Sequence, residues 1–347
     1  MITEQKAHTF VNTVFVIAEL SANHNQDFAR AKKTIKAIQE TGADAVKLQT
    51  YTPDTITIDC ANKYFKIDSG TVWDGRTLYD LYKEAYTPWE WQPELKEYAE
   101  SLGLLCFSTP FDKTAVDFLE TMNVPMYKIA SFEITDISLI EYVASKNKPV
   151  LISTGIATLA DIEEAVNTCK RKNNNDITLL KCTSSYPAPV EEANLLTIPH
   201  MKETFKVKVG LSDHTLGDTV ALASVALGAQ VIEKHIILDR SCGGPDSHFS
   251  MEPLEFKKMV EGIRNVEKAL GRVTYDLSEN VKKSRVFSRS LFVVKDIKKG
   301  DIFTEDNIRS IRPGHGLHPK YYNKILGKRA LCDLRRGTPL KIDFIVE

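Results

Sequence analysis

Eight short runs of unbroken apolar character recur along the first two thirds of the chain. They are VFVIAEL (14–20), DAVKLQT (44–50), LLCFSTP (104–110), MYKIAS (126–131), PVLIST (149–154), ITLLKCT (177–183), VKVGLSD (207–213) and QVIEKHI (230–236). They are continuous rather than alternating, as strands covered on both faces are. Longer helical patterns lie between them: DFARAKKTIKAIQETGA (27–43), LKEYAESLG (95–103), DIEEAVNTCK (161–170) and TVALASVALGA (219–229). EPLEFKKMVEGIRNVEKAL (252–270) follows the eighth run. Several of these helices reach a glycine just before the next strand, as a C′ glycine should stand.

Alternating strand and helix units imply a parallel sheet. Eight such units over about 250 residues match a (β/α)8 barrel, a TIM barrel of the α/β class. A doubly wound open sheet is the alternative, but the chain has no glycine-rich phosphate fingerprint to accompany it. Residues 52–86, with TVWDGRTLYDLY (71–82), are too many for a plain strand-to-helix loop and are expected to cover the barrel mouth. The tail differs in pattern. DIKKGDIFTEDNI (296–308) and DLRRGTPLKIDFI (333–345) align without a gap, as an internal repeat in a small β-rich domain would. The expected division is a barrel over 1–270, a linker over 271–286 and a small domain over 287–347.

Composition narrows the class. The 347 residues are 43% hydrophobic and 26% charged, with a net charge of −1. Nothing global therefore attracts nucleic acid or an anionic membrane. No apolar run approaches the roughly 20 residues of a membrane span. MITEQKAHTF, at the N-terminus, lacks the apolar centre of a signal peptide, so a cytoplasmic location is expected. Cysteines 60, 106, 169, 182, 242 and 332 are scattered with no CxxC pair. They read as reduced thiols, with zinc or redox chemistry as the alternative.

In such a barrel the chemistry lies at the C-terminal ends of the strands. Those ends carry Glu19, Lys47 and Gln49, Ser108 and Thr109, Lys128, Ser131 and Glu133, and Ser153 and Thr154. The later three carry Ser184 and Tyr186, Ser212, Asp213 and His214, and Glu233 and His235. Two lysines inside apolar strands are the most informative feature, because a buried ammonium is costly unless paired. If Lys47 and Lys128 face the barrel mouth, two carboxylates or a multiply charged ligand must answer them. With the surrounding hydroxyls, they suit a phosphate and a carboxylate on one small molecule. The alternative is internal pairing with Glu19 or Glu133. His214 and His235, on consecutive strands, read either as ligands of a divalent ion or as acid–base groups. Asp246 in GGPDSHFSME (243–252) is a substrate-loop candidate or a plain turn, and Arg312 in IRPGHG (311–316) is a loop arginine.

IAELSANH, DAVKLQTYTPD, FSTPFD, YKIASFE, LISTGIAT, KCTSSYP, GLSDHT and EKHIILD occur in this order. Together they resemble the sialic acid synthase family, which condenses phosphoenolpyruvate with an amino sugar. SLFVVKDIKKGDIFTEDNIRSIRPGHGLHP resembles the family's antifreeze-like (SAF) domain. The pattern is nearest the pseudaminic acid branch, with Ser184 standing where the neuraminate branch tends to carry Asn. The resemblance implies that Lys47, Thr109, Lys128, Ser131, Ser153 and Ser212 hold phosphoenolpyruvate. Gln49, Ser184, Tyr186, Asp246 and Arg312 would meet the sugar, and His214 and His235 would bind Mn²⁺, Mg²⁺ or Co²⁺. Glu19, Glu133, Lys47 and Lys128 would be catalytic. It also implies a homodimer in which the SAF domain of one subunit brings Arg312 to the other's barrel. Alternatives are a legionaminic or N-acetylneuraminate synthase, a Schiff-base aldolase using Lys47 or Lys128, and a non-enzymatic sugar- or ice-binding protein.

Overall fold

Each apolar run forms a strand: β1 (Phe15–Glu19), β2 (Ala45–Thr50), β3 (Leu105–Pro110) and β4 (Tyr127–Ile129), then β5 (Val150–Ser153), β6 (Ile177–Cys182), β7 (Lys208–Asp213) and β8 (Val231–His235). The structure, a computed structural model, describes residues 13–68, 70 and 73–346. The stretch MITEQKAHTF and residues 71–72 lie outside them. Each strand pairs with the next, and β8 returns to β1 to close a barrel. That closure, from Phe15 opposite Val231 to Glu19 opposite His235, excludes the open sheet.

The local reasons are ordinary ones. All five residues of β1 are buried. The helix Phe28–Thr41 buries one face through Ala31, Thr34, Ile35 and Ile38. It starts at Asp27, whose carboxylate accepts from Arg30 N–H, and ends at Gly42 with φ of 82°. A left-handed residue there costs glycine nothing. Segment 52–86 contains two helices, Pro53–Ile56 and Leu78–Ala85.

Strand register does most of the positioning. Glu19 stands beside Lys47 of β2 on one side and His235 of β8 on the other. Ser212 stands beside Glu233, and Asp213 beside Lys234. Because side chains alternate along a strand, Asp213 turns away from the cavity, where its sequence neighbours Ser212 and His214 point. It pairs with the buried Lys234 at 2.7 Å, and its other oxygen accepts from Thr215.

The chain divides into two compact units between Gly271 and Arg272. In the second, β9 (Ser290–Val293) pairs antiparallel with β10 (Ile308–Ile311). The stretch expected to be a linker holds a short helix, Glu279–Ser284, because the Ser278 hydroxyl caps Val281 N–H. The repeat is visible in the core: Ile297 and Leu334, Phe303 and Leu340, and Ile308 and Ile345 are equivalent pairs, all buried. Its hydrogen bonds are reciprocal too. Lys299 N–H donates to Asp333, and Arg336 N–H donates to the equivalent Asp296.

Candidate active site

The mouth of the barrel holds a cavity of about 480 Å³, within the range of small-molecule sites. Its floor is ionic. Lys47 Nζ lies 2.9 Å from Glu19 and 2.9 Å from Glu233, and Lys128 Nζ lies 2.9 Å from the other oxygen of Glu233. All four residues are at most 4% exposed. Ser212 Oγ also donates to Glu233, and Gln49 Nε2 to Glu19.

This arrangement corrects one expectation. The lysines pair internally with two carboxylates: Glu19 is one, as the alternative had it, but the partner they share is Glu233 and not Glu133. Burial alone would raise Glu19, but Lys47, His235 and Lys128 hold it well below the usual carboxylate range. Burial likewise opposes the charge on Lys47, yet Glu19 and Glu233 raise its pKa. Lys128 lies below the ordinary lysine value, since burial and the neighbouring Lys47 outweigh Glu233. Glu133 stands apart from the network. Burial lifts its pKa to about 7, and its buried Oε2 has no hydrogen-bond partner.

His214 and His235 lie one above each strand end, with ring centroids 5.4 Å apart. Thr183 carbonyl is 3.0 Å from His214 Nδ1, which assigns the proton to that nitrogen and leaves Nε2 with its lone pair. His235 Nε2 is 3.2 Å from Glu19, while its buried Nδ1 has no hydrogen-bond partner and lies 3.9 Å from Asp246. Two ring nitrogens not committed to hydrogen bonds suit an exchangeable divalent ion completed by water and substrate oxygens. Among the described residues no group of three or more His, Cys, Asp or Glu could hold a metal ion, so an ion here would have to take its remaining ligands from water and substrate.

The structure brings most of the expected residues together. Glu19, Lys47, Gln49, Lys128, Ser131, Glu133, Ser153, Tyr186, Ser212, His214, His235 and Asp246 all line the cavity. Asp246 joins through Ser21, whose hydroxyl donates to its carboxylate. Ser153 Oγ is buried without a partner, as a group awaiting a ligand would be. Thr109 is level with Gln49 in the register and its buried hydroxyl is also unpartnered, but it is not part of the cavity lining. Ser184 is the clearest departure. It does not line the cavity; it packs against Gly155, where an added Cβ would come within 2.1 Å of its Oγ. Arg312 belongs to the second unit, where it is exposed.

Several cavity residues escaped the sequence reading. Cys182 Sγ lies 3.8 Å from His214 Nδ1. Burial would raise this thiol, but His214 and a Ser131 hydrogen bond bring it to about 7. Tyr51, Ile56, Ile67, Trp73, Leu78, Leu81 and Tyr82 form the wall nearest β2. Tyr51 lies inside the QTYTPD motif, and Trp73, Leu78, Leu81 and Tyr82 lie in the TVWDGRTLYDLY stretch expected to cover the mouth, though no side chain of it was singled out. The WEW aromatics pack away from the cavity, Trp89 stacking on Phe118 at 4.9 Å and Trp91 meeting Phe28 at 5.4 Å.

Comparison with known proteins agrees with this geometry. The NeuB family model matches residues 34–275 and the SAF domain model residues 288–346. The chain is 51% identical over 331 residues to the pseudaminic acid synthase of Helicobacter pylori, covering 95% of this chain and 97% of that protein. It is 49% identical over 328 residues to the pseudaminic acid synthase of Campylobacter jejuni, covering 94% and 95%. Among solved structures it resembles the N-acetylneuraminic acid (sialic acid) synthetase of Leptospira borgpetersenii in complex with citrate. That match has a TM-score of 0.70 and 33% identity, over 79% of this chain and 90% of that one. The chain belongs to the NeuB family, with a SAF domain as its second unit.

Proposed function

We propose that this protein is a pseudaminic acid synthase. It condenses phosphoenolpyruvate with 2,4-diacetamido-2,4,6-trideoxy-L-altrose and releases phosphate. The observation that carries the chemistry is the floor, where two buried ammonium groups flank one carboxylate beside the unpartnered hydroxyl of Ser153. The sugar assignment rests on relatives of that activity at about half identity over nearly the whole chain.

Lys47 and Lys128, with Ser131, Ser153 and Ser212, hold the phosphate and carboxylate of phosphoenolpyruvate. Glu19 and Gln49 set the position of the aldehyde, with Tyr186 and Asp246 along the sugar. Carbon 3 of phosphoenolpyruvate attacks the aldehyde carbon; the C=O π pair moves to the aldehyde oxygen, which takes a proton, and a cation is left at carbon 2. Water adds there, and Glu133, with a pKa of about 7, accepts its proton. The C–O bond then breaks and phosphate leaves. The floor pairs its own charges, so a trianionic substrate brings charge that two lysines do not cancel. A divalent ion held by His214 and His235 would supply that balance and polarise the aldehyde oxygen as a Lewis acid. On this reading the enzyme is a cytoplasmic homodimer, with each SAF domain carrying Arg312 to its partner's barrel. The family resemblance supports the dimer, and six free cysteines suit a reducing compartment.

The test is phosphate release with phosphoenolpyruvate, Mn²⁺ and one of three sugars: the trideoxy-altrose, its legionaminic counterpart or N-acetylmannosamine. Release with the altrose alone is the expected result. Release only with another sugar would overturn the sugar and keep the chemistry. Chelation, or His235→Ala, is expected to abolish turnover while leaving the melting transition in place. Activity that survives both would refute the metal.

A further inference from the structure

Segment 52–86 is rich in charge, holding Asp54, Asp59, Lys63, Lys66, Asp68, Asp74, Arg76, Asp80, Lys83 and Glu84. None of these lines the cavity. Among the described residues, every side chain the segment places there is apolar or aromatic, led by Ile56, Ile67, Trp73, Leu78 and Leu81. Ile56, Ile67, Trp73 and Leu78 are only half-buried. Apolar surface left facing water inside a cavity is unfavourable until something covers it. This wall is also fixed in place. Trp73 Nε1 donates to Pro245 O at 3.0 Å, next to Asp246, and the Trp73 ring lies 5.6 Å from Tyr186. Tyr186 in turn lies 4.4 Å from His214. The segment therefore ends in an apolar plate seated over the same site as the histidines.

We infer that this plate reads the far end of the sugar, taking the carbon-6 methyl and the methyl of the carbon-4 acetamido group. The inference rests on the function proposed above and names what selects a 4-acetamido-6-deoxy sugar over N-acetylmannosamine. The ionic floor holds phosphoenolpyruvate, so the aldehyde must lie there, and the opposite end of the open chain extends toward the rim. In the trideoxy sugar that end carries methyl groups, which cover the plate. In N-acetylmannosamine it carries hydroxyls at carbons 4 and 6, which lose water against Ile67 and Leu78 and gain nothing in exchange. Ser184, turned onto Gly155, is not placed to make this distinction.

The experiment compares kcat/KM for the trideoxy-altrose and N-acetylmannosamine at saturating phosphoenolpyruvate, in wild type, Leu78→Asn and Ile67→Thr. Wild type should favour the trideoxy sugar by about 100-fold or more, the discrimination a hydrophobic pocket can supply. Each variant should lower that ratio by about tenfold, mainly through KM for the trideoxy sugar. Ile67→Thr keeps the β-branch, loses one methyl group, and lies outside the helix that starts at Leu78, so it guards against a folding defect there. KM for phosphoenolpyruvate reports whether the floor has been disturbed. A ratio unchanged in both variants, or equal losses with both sugars, overturns the plate while leaving the proposed function intact. A wild type that prefers N-acetylmannosamine overturns both.

Discussion

The barrel and the SAF unit bury different things. At the barrel mouth Glu19, Lys47, Lys128, Glu233 and His235 are each at most 6% exposed. In the SAF unit the buried set is aliphatic and aromatic, and Ser290 is its one buried polar side chain among the described residues. The barrel can hold charge because strand register lines the groups up as alternating partners: His235, Glu19 and Lys47 lie side by side on β8, β1 and β2. The SAF unit has no such ladder. It relies on a repeat in which each half caps the other. One unit is organised for chemistry at a cost in stability, and the other for folding from a short sequence.

Removing the carboxylate the lysines share should break the contrast most severely. Among the described residues, Glu233→Gln leaves Lys128 with no carboxylate within 4 Å and Lys47 with Glu19 alone. Phosphate release should fall by about 10³-fold in kcat/KM, the scale of losing a preorganised charge at a reacting centre. Activity within tenfold of wild type would mean that the floor is structural only.

Outside the cavity the same barrel holds a second buried pair, Asp213–Lys234. Lys234→Met should cost about 3–5 kcal/mol by stranding Asp213. The double replacement Asp213→Leu with Lys234→Met should recover most of that loss. Urea denaturation of the three proteins measures both, and a double mutant no better than the single would show that the carboxylate's bonds to Thr215 carry the stability.

Glu133 should make the stability of the barrel depend on pH. Its folded pKa, about 7, lies above its ordinary value of 4.5. Between those limits the unfolded chain has lost a proton that the folded chain retains. Stability contributed at low pH is therefore lost as pH rises through this window and stays flat above it, by up to about 3 kcal/mol. Glu133→Gln should remove that slope in melts taken from pH 5 to 8. It should also remove the acidic limb of kcat/KM, because a base must be ionised to accept the proton of water.

The eight strands and the repeat were legible because both are written as local apolar patterns. Phe303 and Leu340, or Ile308 and Ile345, could be matched without knowing their contacts. The floor was legible only in part. Lys47 and Lys128 announced themselves as lysines among apolar residues, but their pairing with Glu233 depends on β8 returning to β1, which joins opposite ends of the barrel sequence. Asp213 read as a cavity residue because Ser212 and His214 are, until strand alternation turned it to Lys234. Nothing in KCTSSYP reveals that Ser184 packs against Gly155, outside the cavity lining. Trp73 and Leu78 lay in a stretch expected over the mouth, but an irregular loop and a helix of two turns are too short to show which of their side chains face inward.

The smallest effect tests the symmetry of the SAF unit. Gly300 and Gly337 occupy the same place in the two repeats, with φ of 91° and 87°. Their N–H groups donate to Ala330 and Val293, both at 2.8 Å, and these acceptors are themselves equivalent. An added Cβ would meet nothing within 4 Å at either glycine. With no steric clash, Gly300→Ala and Gly337→Ala differ from wild type only in the strain of a left-handed alanine, about 1 kcal/mol each. The two losses should be equal, and the double substitution should be additive, since the sites share no partner. Hydrogen exchange of the core amides Leu291 and Leu340 reads this directly. Unequal losses would mean that the repeat is a resemblance of pattern, with the two halves held by different forces.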